Sequence, residues 1–244
     1  MTGEWRVGCS GYEYEGWRGE LYPKGLPKSR WLETYASVFD TVEINGTFYR
    51  LPEATTFDAW RERVPDGFVF ALKLSQYGTH RKHLKDPESW LPVFRERAER
   101  LGPKLGPVLA QLPPHWGADA PRLDHFLEVA GRAHRWAVEF RDRSWLSDEI
   151  FAVLARHDAA LVIHDFFDRH PRVVTGTWMY FRFHGPHAGE RYTGSYSPQA
   201  LSATAQRIRS HVAEGRDVFA YFNNDVGGHA VRNAQALARY LATT

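Results

Sequence analysis

The run Trp136-Ala137-Val138-Glu139-Phe140-Arg141-Asp142-Arg143-Ser144-Trp145, with Ser147-Asp148-Glu149 behind it, decides how this chain is read. Val138 and Phe140 alternate with Ala137, Glu139 and Arg141, which predicts a short buried strand. A period of two puts Glu139 and Arg141 on one side of it. An acid and a base sharing a face at a strand end are costly to bury unless they pair or do chemistry. Ser147 followed by two acids reads as a helix start, so the charged pair sits where a strand hands over to a helix.

The same alternation repeats on either side. Strands are predicted at residues 5–9, 41–45, 68–74 and 105–112 upstream, and at 159–164, 178–184 and 217–222 downstream. Helices are predicted between them, with Thr55 and Asp58 spaced as a capping box, Asp86-Pro87 as a cap and first-turn proline, and Asp119 and Ser197 as further caps. Residues 165–177 show no helical period, so the sixth crossover helix is expected to be reduced or missing. Eight strands alternating with helices over 244 residues predict a (β/α)8 TIM-type barrel, and with no linker or low-complexity break the whole of 1–244 is expected to be a single domain. An open doubly wound sheet is the competing architecture. It would carry a glycine-rich turn after its first strand, and Gly8-Cys9-Ser10-Gly11 matches that fingerprint poorly.

Composition bounds the function. Hydrophobic residues are 43% and charged residues 25% of the chain, ordinary for a globular protein, and no apolar run approaches the roughly 18 residues that span a bilayer. Aromatics reach 14%, with nine Trp, which suggests a heavily packed core or an aromatic cleft. A net charge of +2 is too small to argue for nucleic acid or a membrane surface. The single Cys excludes an internal disulfide, and the N-terminus has no signal pattern, so a cytoplasmic location is expected.

In such barrels function sits at the C-terminal ends of the strands. Those ends carry Cys9 and Ser10; Glu43 and Asn45, then Phe48 and Tyr49; Lys73 and Ser75, then Thr79 and His80; Gln111; Glu139 and Arg141; His164 and Asp165; Arg182 and His184; and Asn223, Asn224 and Asp225. Parity places Glu43 with Asn45, Glu139 with Arg141, and Arg182 with His184, each opposite an apolar face. An internal ion-pair network is one explanation; the clustering at strand ends favours a site.

Several motifs in this order resemble those of the YecE-like family, a domain of unknown function: Gly8-Cys9-Ser10-Gly11-Tyr12, Glu43-Ile44-Asn45-Gly46-Thr47-Phe48-Tyr49, Gln111-Leu112-Pro113-Pro114, Val138-Glu139-Phe140-Arg141 with Ser144-Trp145, and Phe181-Arg182-Phe183-His184-Gly185. The similarity runs from about Trp5 to Leu241. It implies a TIM-type barrel and, through the family pattern, an Asp after strand six, which His164-Asp165 supplies. It implies no reaction, so function is argued from the residues.

The preferred reading is an enzyme doing hydrolysis or acid–base chemistry on a phosphate- or carboxylate-bearing small molecule or nucleotide. Glu139, Glu43 and His184 are the catalytic candidates, since carboxylates and imidazole carry protons near neutrality. Lys73, Gln111, Arg141, Arg182, Asn223, Asn224, Tyr49 and Tyr192 are the expected substrate-binding set, with Gly227-Gly228 before the last helix as an anion nest. No cofactor is expected. A metal-dependent hydrolase or nuclease is an alternative, using ligands among Glu139, His164, Asp165, His184 and Asp225, but no His-x-His or His-Glu-x-x-His spacing exists and nearby Lys and Arg repel a cation. A non-catalytic nucleic-acid or protein-binding barrel is the other alternative, through the basic run from Thr79 to Lys85. A solvated loop explains that run more simply. The sequence leaves the oligomeric state open.

Overall fold

The computed structural model describes residues 2–187 and 191–243. Its strands are β1 Trp5–Cys9, β2 Thr41–Ile44, β3 Val69–Lys73, β4 Leu105–Gln111, β5 Trp136–Glu139, β6 Ala160–His164, β7 Trp178–Phe183 and β8 Asp217–Phe222. They form one sheet in the order β1-β8-β7-β6-β5-β4-β3-β2, and a parallel bridge between Ser10 and Glu43 joins its two ends. With helices α1 Trp31–Ala36, α2 Gly46–Tyr49, α3 Ala54–Glu62, α4 Pro87–Glu99, α5 Ala120–Ala130, α6 Asp148–Arg156, α7 Pro198–Ala213 and α8 His229–Ala242 between strands, this is the (β/α)8 barrel that the alternation predicts.

Two compact units make up the chain. Unit 1 comprises Met1–Glu43, Ile163–His170 and Trp178–Thr244; unit 2 comprises Ile44–Val162 and Pro171–Thr177. In unit 1, β1 pairs with β8 and β8 with β7. Gly8 is a glycine because a Cβ there would lie 2.2 Å from the Thr41 carbonyl oxygen. Tyr35 holds the same junction: its hydroxyl donates to Thr41 O at 2.9 Å and accepts from Cys9 N at 2.8 Å. The aromatic loop after β1 is core rather than cleft, since Trp17 and Trp31 are fully buried and Tyr22 stacks on Trp31 at 4.5 Å. A fully buried side chain of this kind contributes roughly 1.5–3 kcal/mol relative to an exposed one.

In unit 2, β3 pairs with β4, β4 with β5, and β5 with β6; Gln111 faces Glu139 in register. The missing sixth helix has a physical replacement. Residues 165–177 hold no helix, and Thr175, buried, donates to Ala159 O at 2.7 Å and accepts from Leu161 N at 2.8 Å. Caps form where expected at Asp119, Ser147 and Ser197, whose side chains accept from Arg122 N, Ile150 N and Ala200 N. The Thr55–Asp58 box does not form: α3 is capped two residues earlier, at Glu53, and the Asp58 carboxylate is taken by Arg100 at 2.5 Å. A long-range ion pair there outcompetes a local cap. Asp86 precedes Pro87 as predicted but makes no side-chain cap, its backbone being left-handed with φ 48°.

Candidate functional site

Unit 1 gathers a charged network at the ends of β1, β2 and β7. Glu43, fully buried, accepts on Oε1 from the Ser10 hydroxyl and from Arg182 Nη2 at 2.7 Å and Nε at 3.2 Å. Its Oε2 accepts from the Tyr180 hydroxyl at 2.7 Å. Arg182 is 1% exposed and also reaches His184, with Nη1 3.3 Å from Nε2. A guanidinium has no acceptor, so Nε2 is the acceptor in that contact and the neutral ring carries its proton on Nδ1, 3.4 Å from Asp165 Oδ1. Asp165 is fixed in turn by the His184 backbone N–H at 2.8 Å and the Tyr196 hydroxyl. Burial first, then the Glu43 charge, pushes the Tyr180 hydroxyl well above its ordinary value. Burial and the Asp165 charge do the same to Tyr196.

Beyond β8, Asn224 is fully buried and donates to Gly194 O at 2.8 Å and to Asn233 Oδ1 at 2.9 Å. Asn223 donates its backbone N–H to Phe183 O at 2.8 Å. Asp225 is half-buried, and burial pushes its carboxyl up to about 6. The Gly227-Gly228 turn is left-handed, with φ 73° and 71°; Arg232 donates to Gly227 O and pairs with Glu20, both at 2.7 Å. Tyr192 is 39% exposed, and its N–H donates to His184 O at 2.6 Å. Cys9 is fully buried, and burial pushes its thiol far up, which makes it inert.

Unit 2 holds the other half of the expected residues. Arg141 Nη2 pairs with Glu139 Oε1, the carboxylate being fully buried and the arginine 8% exposed. The turn after them is pinned: Asp142 Oδ1 accepts from Ser144 N at 2.9 Å, Ser144 Oγ accepts from Ala118 N at 2.9 Å, and Trp145 Nε1 donates to Trp116 O at 2.6 Å. Lys73, at the end of β3, sets its ammonium 4.1 Å from the centre of the Phe48 ring on α2, a cation–π contact. Tyr49 beside it is 71% exposed. His80 packs edge-on against the same Phe48 ring at 5.0 Å.

His80 sits in one π-type turn, Tyr77–Arg81, of the loop after β3. Such turns recur at functional sites. A Cβ on Gly78 would strike the Trp90 ring at 2.5 Å, so only glycine lets this turn seat. Burial pushes the His80 imidazole down to about 4, with the positive charges of Lys73, His83 and Arg141 adding to it. The loop is not the solvated basic run that its composition suggests. His83 stands edge-on to Trp116 at 4.9 Å, and Leu84 N–H donates to Gly78 O at 2.9 Å.

A family model described as a protein of unknown function, DUF72, matches residues 6–244. The chain belongs to the DUF72 family. Among its relatives, the UPF0759 protein YunF of Bacillus subtilis is 26% identical, over 96% of this chain and 94% of that one. The UPF0759 protein YecE of Escherichia coli is 34% identical over 111 residues, which cover 45% of this chain and 41% of YecE. A crystal structure of a DUF72 family protein from Thermotoga maritima superposes with a TM-score of 0.84 at 29% identity, covering 98% of this chain and 99% of that one. The resemblance seen in the motifs is therefore borne out in family and in fold.

Within this DUF72 chain, sequence parity brings together Arg182 with His184 and Glu139 with Arg141 as expected. Asn45 leaves its strand with φ −85° and ψ −21°, so its parity with Glu43 is not realised. Of the aromatics that could have walled a ligand, Trp17 and Trp145 are fully buried packing, while Tyr49 and Tyr192 stay exposed. Sequence reasoning named Asp225 only as a possible metal ligand and His80 only within the basic run from Thr79 to Lys85, and put neither in the preferred site. Each is a half-buried titratable group whose environment moves it from its ordinary value, a signal visible only after folding. Among the described residues no group of three or more His, Cys, Asp and Glu is arranged to hold a metal ion, and no helix is long and apolar enough to cross a membrane.

Proposed function

We propose that this DUF72 protein is an enzyme carrying out hydrolysis or acid–base chemistry on a phosphate- or carboxylate-bearing small molecule, which it seats in unit 2. The observation that supports this reading is the Lys73 ammonium, 4.1 Å from the centre of the Phe48 ring on which His80 packs edge-on at 5.0 Å. A cation set on a partly buried aromatic shelf attracts an anionic group, and a guanidinium matches an oxyanion in geometry. Glu139 is the proton-transfer candidate and Arg141 its electrostatic partner. Arg182, by contrast, is committed to Glu43 and serves better to order unit 1 than to grip substrate.

Complete burial of Glu139 supports a second reading, a structural ion pair with Arg141. Thermal denaturation with added salt tests the binding step. Inorganic phosphate should raise Tm more than chloride at matched ionic strength, because a ligand that binds only the folded state stabilises it, and Lys73→Ala should abolish the excess. Equal shifts in both salts would remove the anion reading.

A further inference from the structure

Unit 1 holds a groove of about 460 Å³ where the end of α1 meets α8 over the start of β1. The groove follows from the shortness of α1, which has 6 residues against 14 in α8. Past its end the chain makes a tight turn, in which the N–H groups of Val38 and Phe39 both donate to Tyr35 O at 3.0 Å. The turn folds Phe39 inward, 4.9 Å from the Tyr35 ring, and leaves Val38 45% exposed at the rim. Trp5 and Val7, two residues apart on β1, share one side of the strand and line the groove beneath. Gln235, Ala238 and Arg239 follow one another at i, i+3 and i+4 on α8, so they present a single face as the far wall.

The polar groups of the two walls differ. On the α1 side, Asp40 accepts from Arg6 Nη1 at 3.0 Å, and Arg6 also lies 3.6 Å from Glu4, so that side is acidic and its carboxylate already has a partner. On the α8 side the donors are uncommitted. Among the described residues, the side chains of Gln235 and Arg239 make no hydrogen bond or ion pair, and neither does the Trp5 indole N–H. Indole and guanidinium bring donors only, and the Gln235 amide adds two more. Spare donors call for an acceptor, and the unanswered charge of Arg239 calls for an anionic one. Size decides the kind of occupant. The groove is in the range of roughly 300–1,000 Å³ typical of small-molecule sites. It is lined by 8 residues, whereas a stable protein partner needs roughly 20–30 a side.

We propose that this groove is a binding site for a small aromatic monocarboxylate, its ring lying against Trp5 and Phe39 and its carboxylate taken by Arg239 and Gln235. The aromatic lining favours a flat apolar body, and a second carboxylate would meet Asp40. The site lies within unit 1 and does not depend on the reading of unit 2.

The test is calorimetric titration of the full chain, at matched ionic strength, with 3-phenylpropionate, with its neutral amide and with propionate. The acid should saturate one site per chain and bind about fivefold more tightly than the amide, the scale of one exposed charge pair. Propionate, lacking the ring, should bind at least roughly tenfold more weakly than the acid. Arg239→Gln should erase the advantage of the acid and leave the amide unchanged. Ala238→Phe, which fills the groove, should weaken both; should it disturb the packing of α8, Arg239→Gln, at an exposed side chain, still decides. Acid and amide binding alike to the wild type, an advantage that Arg239→Gln leaves intact, or binding of none of the three overturns the proposal. A loss that follows Lys73→Ala but not Arg239→Gln overturns it too, by placing the acid in unit 2. Self-association of the chain that Val38→Asp abolishes would likewise overturn it, by making a second copy the occupant.

Discussion

Both units bury a glutamate–arginine pair at a strand end, and they build it in opposite ways. In unit 1, Glu43 and Arg182 stand 139 residues apart in sequence and are enclosed by Ser10, Tyr180 and His184, so that each charge is met by donors or acceptors from separate strands. In unit 2, Glu139 and Arg141 are two residues apart, at the end of one strand. The difference teaches where to look for chemistry. A carboxylate on β2 that accepts from Ser10 after β1 and from Tyr180 and Arg182 on β7 is spent on holding those elements, as the Ser10–Glu43 bridge at the ends of the sheet order already indicates. A pair between near neighbours in sequence links no distant elements by itself, so unit 2 is where we look for chemistry.

The strongest way to break this comparison is Glu43→Ala. It would leave Arg182 buried without its carboxylate, and removing one partner of a buried pair costs on the order of 3–5 kcal/mol. Urea denaturation should show that loss as a lower midpoint; a loss under about 1 kcal/mol, the scale of an exposed pair, would mean that unit 1 is not held by this network. Glu139→Gln sharpens the other side. If Glu139 transfers a proton, turnover on any substrate found by screening should fall by roughly 10²-fold, the usual scale for general acid–base catalysis, while the amide keeps the fold. A variant that melts early yet retains its full kcat per folded molecule would end the case for Glu139 as catalyst and make the two pairs alike in purpose.

The smallest effects are the pH dependences, and they run in opposite directions in the two units. His80 titrates near 4 in the folded chain and near 6.5 when unfolded. Between those values the unfolded state binds the extra proton, so the His80 contribution is fully present above about 6.5 and is lost as pH falls toward 4. Asp225 titrates near 6 when folded against 3.8 when unfolded. There the folded state binds the extra proton, so its contribution is present below 3.8 and is lost as pH rises through about 6. Melting curves across this range should therefore show His80→Ala flattening the acid-side fall in Tm, and Asp225→Asn raising Tm at neutral pH but not below about pH 4. Both groups are partly exposed, so solvent screening keeps either shift small. Shifts of the same sign for both variants would mean that burial is not what perturbs them.

What the sequence determined by itself is the part of the protein ruled by short-range periodicity. A period of two marked the strands, including the Glu139–Arg141 pair. Ser147 and Ser197 marked helix starts because a cap needs only the next three residues. The aperiodic stretch from 165 to 177 marked the absent helix. Tertiary structure decided everything that depends on which distant group arrives. Asp58 abandoned a local cap for Arg100, Gly8 serves the close approach of β2, and Glu43 drew Arg182 from across the chain. The low proton affinity of His80 depends first on its burial in the folded loop. Alternation along a strand fixes which side of the backbone a residue occupies; the charge and the hydrogen-bond partner that meet it there come from other strands, whose identity no local pattern encodes.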